Sequence, residues 1–298
     1  MSYTQLVKEE ILQKEVINVI EKRYELYAVL KAKNSFKNDR IDFTVENIGI
    51  AKRVYSIIKS FTNLKIEIKY SISKRFGEHR VYGVIVRKQK GYKVFVDNFK
   101  HMDKEKINKA ESKLAGYIRG IFLVAGYIKQ PEKEYSMDFF LEDKNDAKKL
   151  YDNLKGINKK VGYTQKKNKY LVYLRNSEDI MDILVMTGAM KSFFEYEETI
   201  MFKDIKNKTV RSINWEVANE TKIINTAEKQ LTMIKEIEKK VGLESLTGVL
   251  EEVAKVRIKY PESSLTELAK IIGISKSGIR NRFRRLEKIY NELEEETN

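Results

Sequence analysis

Apolar positions along this chain recur with a period of 3.6 or of two, and the two periods alternate in an order that occurs twice. The first set predicts a helix over about 24–36, a strand over 40–46, a helix over 49–61, and strands over 64–72, 80–88 and 92–97. The second predicts a helix over 112–128, a strand over 135–142, a helix over 143–155, strands over 161–167 and 169–175, and a helix over 177–188. Residues 1–22 read as a helix that leads into the first set. Each set therefore predicts an α+β unit with an antiparallel sheet.

The two sets also share a segment of sequence. The run AKRVYSIIK at 51–59 returns as AKKLYDNLK at 147–155, with like residues in like places. An alternating, strand-like stretch precedes each copy and a basic pair of strands follows it. A repeat of roughly a hundred residues is too long for a solenoid, so it indicates two fused copies of one α+β unit.

The pattern of the C-terminal third is different and predicts helices only. Residues 205–240 are polar with spaced apolar positions, and they predict one or two connecting helices. A helix that begins near Leu246 stops at Pro261, after which Ser264 and Glu267 have the spacing of a capping box. Gly273 then supplies a sharp turn, and Ser275 is placed to cap the next helix. This order of helix, glycine turn and helix is the helix-turn-helix signature.

The second helix of that motif carries the candidate chemistry. Ile279, Phe283, Leu286, Tyr290 and Leu293 form one apolar stripe, and the opposite face is strongly basic. In such motifs the N-terminal part of the helix meets base edges and more distal cations meet phosphate. The residues assigned to base reading are Lys276, Ser277, Arg280 and Asn281, those assigned to phosphate are Arg284, Arg285 and Lys288, and the cap residue Ser275 completes the predicted DNA-binding set.

Composition narrows the classes of partner. The chain of 298 residues has 58 Lys and Arg against 43 Asp and Glu, a net charge of +15, which favours a polyanion such as double-stranded DNA. It contains no Cys and 2 His, so a zinc site of Cys and His is excluded and no cofactor or metal is expected. The pattern offers no apolar span of the roughly 20 residues that a membrane requires and no signal peptide, so we expect a cytoplasmic, nucleoid-associated protein.

The predicted hairpins of the two repeats offer a second basic surface. Lys74 and Arg75 lie in the first copy, and Lys166, Lys167 and Lys169 lie in the second, with tyrosines interleaved. These residues have two readings, a saddle that contacts DNA or ordinary solvated hairpin faces.

Residues 113–127 are apolar on nearly every side and hold Gly116, Gly120 and Gly126 in a helical pattern. Glycine costs about 1 kcal/mol in a helix interior, which suggests that another backbone comes close. When this helix is placed over residues 25–35 of the first copy, Gly120 meets Ala28. Two helices with small faces would then pack along a pseudo-two-fold axis.

This arrangement resembles the LAGLIDADG homing endonucleases, in which paired helices join two αββαββα-type units and each helix ends in an acidic metal ligand. At the corresponding positions this chain has Lys33 and Ala125. Neither side chain offers an oxygen ligand for a catalytic metal, so no catalytic residue is assigned.

A LAGLIDADG-like platform followed by a helix-turn-helix is similar to the WhiA family of bacterial sporulation and cell-division regulators. The resemblance rests on residues 188–191, 207–212 and 215–222, and above all on residues 265–268 and 275–286. The chain departs from the usual family pattern at Lys33 and Asn34, where Gly or Ala is common, and at Trp215, where Cys is frequent.

The resemblance implies a non-enzymatic, sequence-specific transcriptional regulator of cell division and chromosome segregation, and of sporulation where the host sporulates. A sigma factor of RNA polymerase or another regulator would be a protein partner. The alternatives are a nucleoid-associated or scaffolding protein that covers DNA broadly, and an active nuclease. The predicted domains are 1–104 and 105–204 for the two repeats, 205–242 for a helical linker and 243–298 for the DNA-binding domain.

Overall fold

The computed structural model describes residues 2–73, 79–107 and 110–295 and divides the chain into two units, residues 1–203 and 204–298. The N-terminal unit begins with helix α1 (Tyr3–Gln13). The first repeat then contains α2 (Val19–Ala32), β1 (Arg40–Val45), α3 (Ile48–Phe61), β2 (Glu67–Ser73), β3 (His79–Arg87) and α4 (Tyr92–Lys104). The second contains α5 (Glu111–Ala125), β4 (Gly126–Ile128), β5 (Met137–Leu141), α6 (Lys144–Gly156), β6 (Val161–Lys166), β7 (Lys169–Leu174) and α7 (Ser177–Thr187).

The predicted duplication is confirmed in the order of elements and in their caps. The second repeat follows the αββαββα order, and its antiparallel sheet has the strand order β4-β5-β7-β6. The sheet of the first repeat has the order β1-β3-β2, with an isolated bridge between Phe36 and Ile41 where the second repeat has its extra strand pair. The repeated helices α3 and α6 begin at Asn47 and Asp143, whose side chains accept bonds from the first-turn N–H groups.

Three sequence-based predictions about these elements were wrong. The helix predicted over 1–22 ends at Gln13, and residues 19–22 belong to α2. The strand predicted over 92–97 is the start of helix α4, because Tyr92, Phe95, Phe99 and Met102 are buried at helical spacing. Short windows of aromatic and β-branched residues do not separate the two periods. The helix predicted over 112–128 ends at Ala125, and its last three residues form strand β4, which pairs with β5.

Helices α2 and α5 pack against each other through small residues at the centre of the unit. A Cβ on Gly116 would overlap the carbonyl oxygen of Glu21, and one on Gly120 would lie 2.8 Å from the Ala28 Cβ. The expectation of close backbone approach is therefore confirmed. After α2, Asn34 adopts a left-handed conformation (φ 47°), which asparagine tolerates better than most residues.

A buried ionic cluster lies on one side of this contact. Glu25 of α2, which is 1% exposed, forms ion pairs with Arg53 of α3 and with Arg119 of α5 at 3.4 Å. Arg119 also binds the Glu21 carboxylate at 2.9 Å and donates from Nε to the Thr187 carbonyl at 2.9 Å. Because each charge has several partners, the cluster can remain in the interior.

On the other side of the contact between α2 and α5, an aromatic cluster occupies the position that corresponds to the ionic cluster. The repeat places Lys149 where the first copy has Arg53, and Lys149 lies 5.0 Å from the ring centroid of Tyr27 and 5.8 Å from that of Tyr117. The two rings stack at 6.3 Å. The duplicated positions therefore hold ion pairs on one side and cation–π contacts on the other.

The C-terminal unit contains the later part of α8 (Met190–Val241), then α9 (Gly248–Lys259), α10 (Leu265–Ile272) and α11 (Lys276–Glu295). Residues 205–240 thus lie in one continuous helix. Its core brings together Ile234 and Ile237 of α8, Val253 of α9, Leu268 of α10 and Ile279 of α11. This unit buries its apolar residues around α11 and leaves the opposite side of that helix to solvent.

Replacing Glu25 by glutamine should lower the free energy of unfolding by about 3–5 kcal/mol, because two arginines lose their buried carboxylate. The control is Glu67→Gln, which removes an exposed pair with Arg87 at 2.6 Å and should leave the free energy of unfolding nearly unchanged. Calorimetric unfolding of both variants measures the difference. Equal losses would show that Glu25 is no more than a surface partner.

Gly116→Ala should destabilise the N-terminal unit by about 3 kcal/mol, because the new methyl group forces α2 and α5 apart. The matched control is Gly248→Ala in α9, where a Cβ would have no atom within 4 Å. We expect the first change to lower the thermal midpoint of the N-terminal unit and the second to leave that midpoint unchanged. A normal midpoint for Gly116→Ala would contradict the close packing.

Candidate nucleic-acid interface

The helix-turn-helix is built by local capping, as the sequence predicts. Ser264 and Glu267 form a reciprocal capping box at the start of α10, with the Ser264 N–H donating to the Glu267 carboxylate at 2.7 Å. Gly273 has φ 76°, a conformation that lets the chain leave α10 sharply. The Ser275 hydroxyl accepts a bond from the Gly278 N–H at 3.0 Å and so caps α11.

Burial fixes the orientation of α11. Ile279, Phe283 and Leu286 face the core, with Tyr290 and Leu293 packed at its edge, so the opposite face points to solvent. All eight predicted DNA-binding residues are exposed: Ser275, Lys276, Ser277, Arg280, Asn281, Arg284, Arg285 and Lys288. The hydroxyls of Ser275 and Ser277 lie 2.9 Å apart, so Ser275 acts first as a cap and bonds its neighbour.

The exposed face has two flanks, since successive residues turn by about 100° around a helix. Arg280 and Arg284 lie on one flank and line a cavity of about 760 Å³ together with Lys222 and Lys229 of α8. Asn281 and Arg285 lie on the other flank. The two α8 lysines were missed by sequence reasoning, because the contact joins helices more than fifty positions apart. They extend the positive surface beyond α11.

Arg257 of α9 holds the motif together from within. Its guanidinium is 1% exposed and donates to the carbonyl of Ser263 at 2.6 Å and to the side-chain oxygen of Gln230 at 3.0 Å. It also lies 5.6 Å from the ring centroid of Phe283. One side chain thereby joins α8, the loop before α10 and the inner face of α11. Its place in the apolar stripe of α9 was the signal that could have revealed it.

The basic hairpins are only partly described. Lys166, Lys167 and Lys169 are exposed at the β6–β7 turn, whereas Lys74 and Arg75 lie outside the described residues. On the sheet faces that the helices do not cover, several charges are already paired. Arg87 binds Glu67 at 2.6 Å and Arg175 binds Asp138 at 2.7 Å. The three lysines at the turn form no ion pair among the described residues, so their charge is available to an anionic partner.

The two positions that the sequence predicts to correspond to nuclease acids lie at helix ends. Lys33 immediately follows α2, and Ala125 is the last residue of α5. Among the described residues no group of three or more His, Asp or Glu side chains is placed to hold a metal ion. In the same part of the chain, no helix combines the length and the apolar character needed to cross a membrane.

Three family models match consecutive parts of this chain. The WhiA N-terminal LAGLIDADG-like domain matches residues 20–99, the WhiA LAGLIDADG-like domain matches 114–206, and the WhiA C-terminal HTH domain matches 209–290. Among curated relatives, "Probable cell division protein WhiA" of Clostridium botulinum is 33% identical over 314 residues, covering 99% of each chain. The protein of that name from Clostridium tetani is 32% identical over 319 residues, covering 100% of each.

Solved structures show the same architecture. Full-length DUF199/WhiA from "Thermatoga maritima" aligns with a TM-score of 0.63 at 22% identity, covering 98% of this chain and 99% of that one. The N-terminal LAGLIDADG domain of DUF199/WhiA aligns with a TM-score of 0.52 at 19% identity, covering 63% and 90%. Fold and motif together define a LAGLIDADG-like unit joined to a helix-turn-helix domain. The chain belongs to the WhiA family.

Arg257→Met should lower the free energy of unfolding of the C-terminal unit by about 1–3 kcal/mol, because the carbonyl groups of Pro261 and Ser263 lose their charged donor while the apolar stem is kept. Lys255→Met on the same helix is the control, since that side chain is 63% exposed and forms its one ion pair in the described part of the chain with Glu251. Thermal unfolding of the C-terminal unit separates the two variants. Equal midpoints would exclude the proposed structural role of Arg257.

Proposed function

We propose that this protein is a sequence-specific DNA-binding transcriptional regulator that acts without catalysis in cell division and chromosome segregation. Where the host sporulates, its targets include sporulation genes. The observation that carries the proposal is the exposed polar face of α11, held outward by a buried apolar stripe. Membership of a family whose curated relatives are named cell division proteins supports the cellular role.

The exposed face contains side chains suited to base recognition. Arg280 can donate two bonds to guanine, and Asn281 can both donate to and accept from adenine. Both lie in the first third of α11, the part of a recognition helix that enters the major groove. Lys276 and Ser277 precede them, while Arg284, Arg285 and Lys288 supply cations for the phosphate backbone.

The LAGLIDADG-like unit is proposed to be non-catalytic. Hydrolysis of DNA by this fold would need oxygen ligands at the ends of the paired helices to hold the metal ions. Lys33 and Ala125 offer none. An active nuclease would instead nick DNA in the presence of Mg²⁺, so an absence of cleavage at high protein excess supports the non-catalytic reading.

We further propose that the domains have different functions. Residues 1–104 and 105–204 form a platform that assists DNA binding or holds a protein, such as a sigma factor of RNA polymerase or another regulator. Residues 205–242 connect it to the DNA reader at 243–298. The protein would act in the cytoplasm on the nucleoid.

A second candidate is a nucleoid-associated or scaffolding protein that binds DNA broadly. The exposed lysines 166, 167 and 169 and the net charge of +15 favour it, because such charge binds phosphate without regard to sequence. A map of chromosomal occupancy distinguishes the two functions. A few sharp peaks support the regulator, and near-uniform coverage supports the scaffold.

Asn281→Ala should weaken binding to a promoter site taken from an occupancy peak by about 1–3 kcal/mol, with little change on random DNA. Lys288→Ala should instead weaken binding to both DNAs similarly. It should also lower the slope of the logarithm of the binding constant against the logarithm of salt concentration by about one. Lys255→Ala on α9 is the control and should change neither. Fluorescence anisotropy over a range of salt concentrations measures all three.

The ratio of promoter to random affinity decides the outcome. If Asn281→Ala reduces both affinities equally, base reading at this position is wrong. Arg280→Ala tests the other flank of α11 in the same way.

A further inference from the structure

A cavity of about 1180 Å³ opens where the paired helices of the N-terminal unit end. Its walls come from α1, the end of β1, the start of α3 and the last turn of α5. Lys33, the residue that stands in the place of a nuclease acid, lies at its edge. None of the side chains assigned above to DNA binding lines this cavity.

The cavity contains cations that form no ion pair among the described residues. The Lys8 ammonium lies 5.8 Å from the ring centroid of Phe122, and within the described chain it has neither a hydrogen-bond acceptor nor a carboxylate partner. Lys33 is close enough for its charge to act on Lys8. Arg80 at the cavity wall likewise has no ion pair among the described residues.

Such an arrangement is costly for the protein alone. Burial, and then the charge of Lys33, lower the pKa of the Lys8 ammonium to about 8. The carboxylates of Glu9 and Glu46 also line the cavity, yet neither is paired with these cations in the described chain. An anion between Lys8 and Lys33 would remove their repulsion and satisfy the ammonium groups.

The remaining wall is mixed. Its apolar part is formed by Leu12, Ile48 and Leu123 together with the ring of Tyr82, and polar side chains such as Gln13 also line it. The cavity thus offers cations for an anionic group together with apolar and hydrogen-bonding surface for the rest of a small molecule.

We propose that this cavity binds the phosphoryl group of a small phosphorylated molecule between Lys8 and Lys33, with the body of that molecule against the apolar wall. The half-buried position of Lys8 favours a terminal phosphoryl group, because a phosphate within duplex DNA is flanked on both sides by sugars. In place of metal ions held by acids, Lys33 at the end of α2 and Lys8 of the neighbouring helix α1 supply positive charge.

The test is isothermal titration calorimetry of the full-length protein at pH 7 with AMP and with inorganic phosphate, and with adenosine as the uncharged probe. We expect AMP and phosphate to bind and adenosine to bind at least tenfold more weakly than AMP. Lys8→Met and Lys33→Met should each weaken AMP binding at least tenfold. Lys52→Met, an exposed lysine of α3 outside the cavity, is the control and should bind like the parent protein.

A second measurement reports on the site without depending on affinity. The ¹³C shift of the Lys8 Cε follows the protonation of this side chain, and bound anion should raise the pKa of Lys8 from about 8 toward the ordinary lysine value. The sign follows because an anion stabilises the charged ammonium.

Two results would overturn the proposal. The first is binding that Lys8→Met, Lys33→Met and Lys52→Met leave equally unchanged, together with an unaltered pKa of Lys8. The second is displacement of AMP by duplex DNA of random sequence at stoichiometric amounts, which would assign the same cations to the DNA backbone.

Discussion

The close approach of helices α2 and α5 is the constraint on which the N-terminal unit depends. Gly116 and Gly120 let the backbones meet, and this closeness forces the side chains around the contact to be either small or fully partnered. Glu25 meets the second condition by binding arginines from two other helices. The two sheets and the helix ends take their places from this central pair, including the ends that surround the Lys8 cavity.

The two units use polar groups in the interior in a similar way. Arg119 ties α2, α5 and the end of α7 in the N-terminal unit, and Arg257 ties α8, α9 and the loop before α10 in the C-terminal unit. Both guanidinium groups are nearly inaccessible and donate to several carbonyl or carboxylate oxygens. A planar group with five donors can satisfy several chain segments at once, which an apolar side chain of the same size cannot do. The orientation of the exposed face of α11 therefore depends on a buried cation, the Arg257 guanidinium, which contacts the inner face of that helix.

Local sequence patterns predicted those features that depend on interactions between residues close together in the chain. The repeat at 51–59 and 147–155, the capping box at Ser264 and the turn at Gly273 were predicted, and so was the exposed face of α11. Helix α4 was missed because its period appears only when Phe99 and Met102 are counted with Tyr92. The contributions of Lys222 and Lys8 to their sites arise from contacts distant in sequence, which no spacing rule encodes, whereas Arg257 could have been found by its place in the apolar stripe of α9.

The ionic and aromatic clusters beside the paired helices make the two repeats dependent on each other. A symmetric dimer of the second repeat would set Arg119 against Tyr117 and bury two arginines without an acid, since Glu21 and Glu25 both belong to the first repeat. A dimer of the first repeat would lose Arg119 altogether. The halves have become complementary instead of interchangeable, so splitting the gene would yield two fragments that need each other.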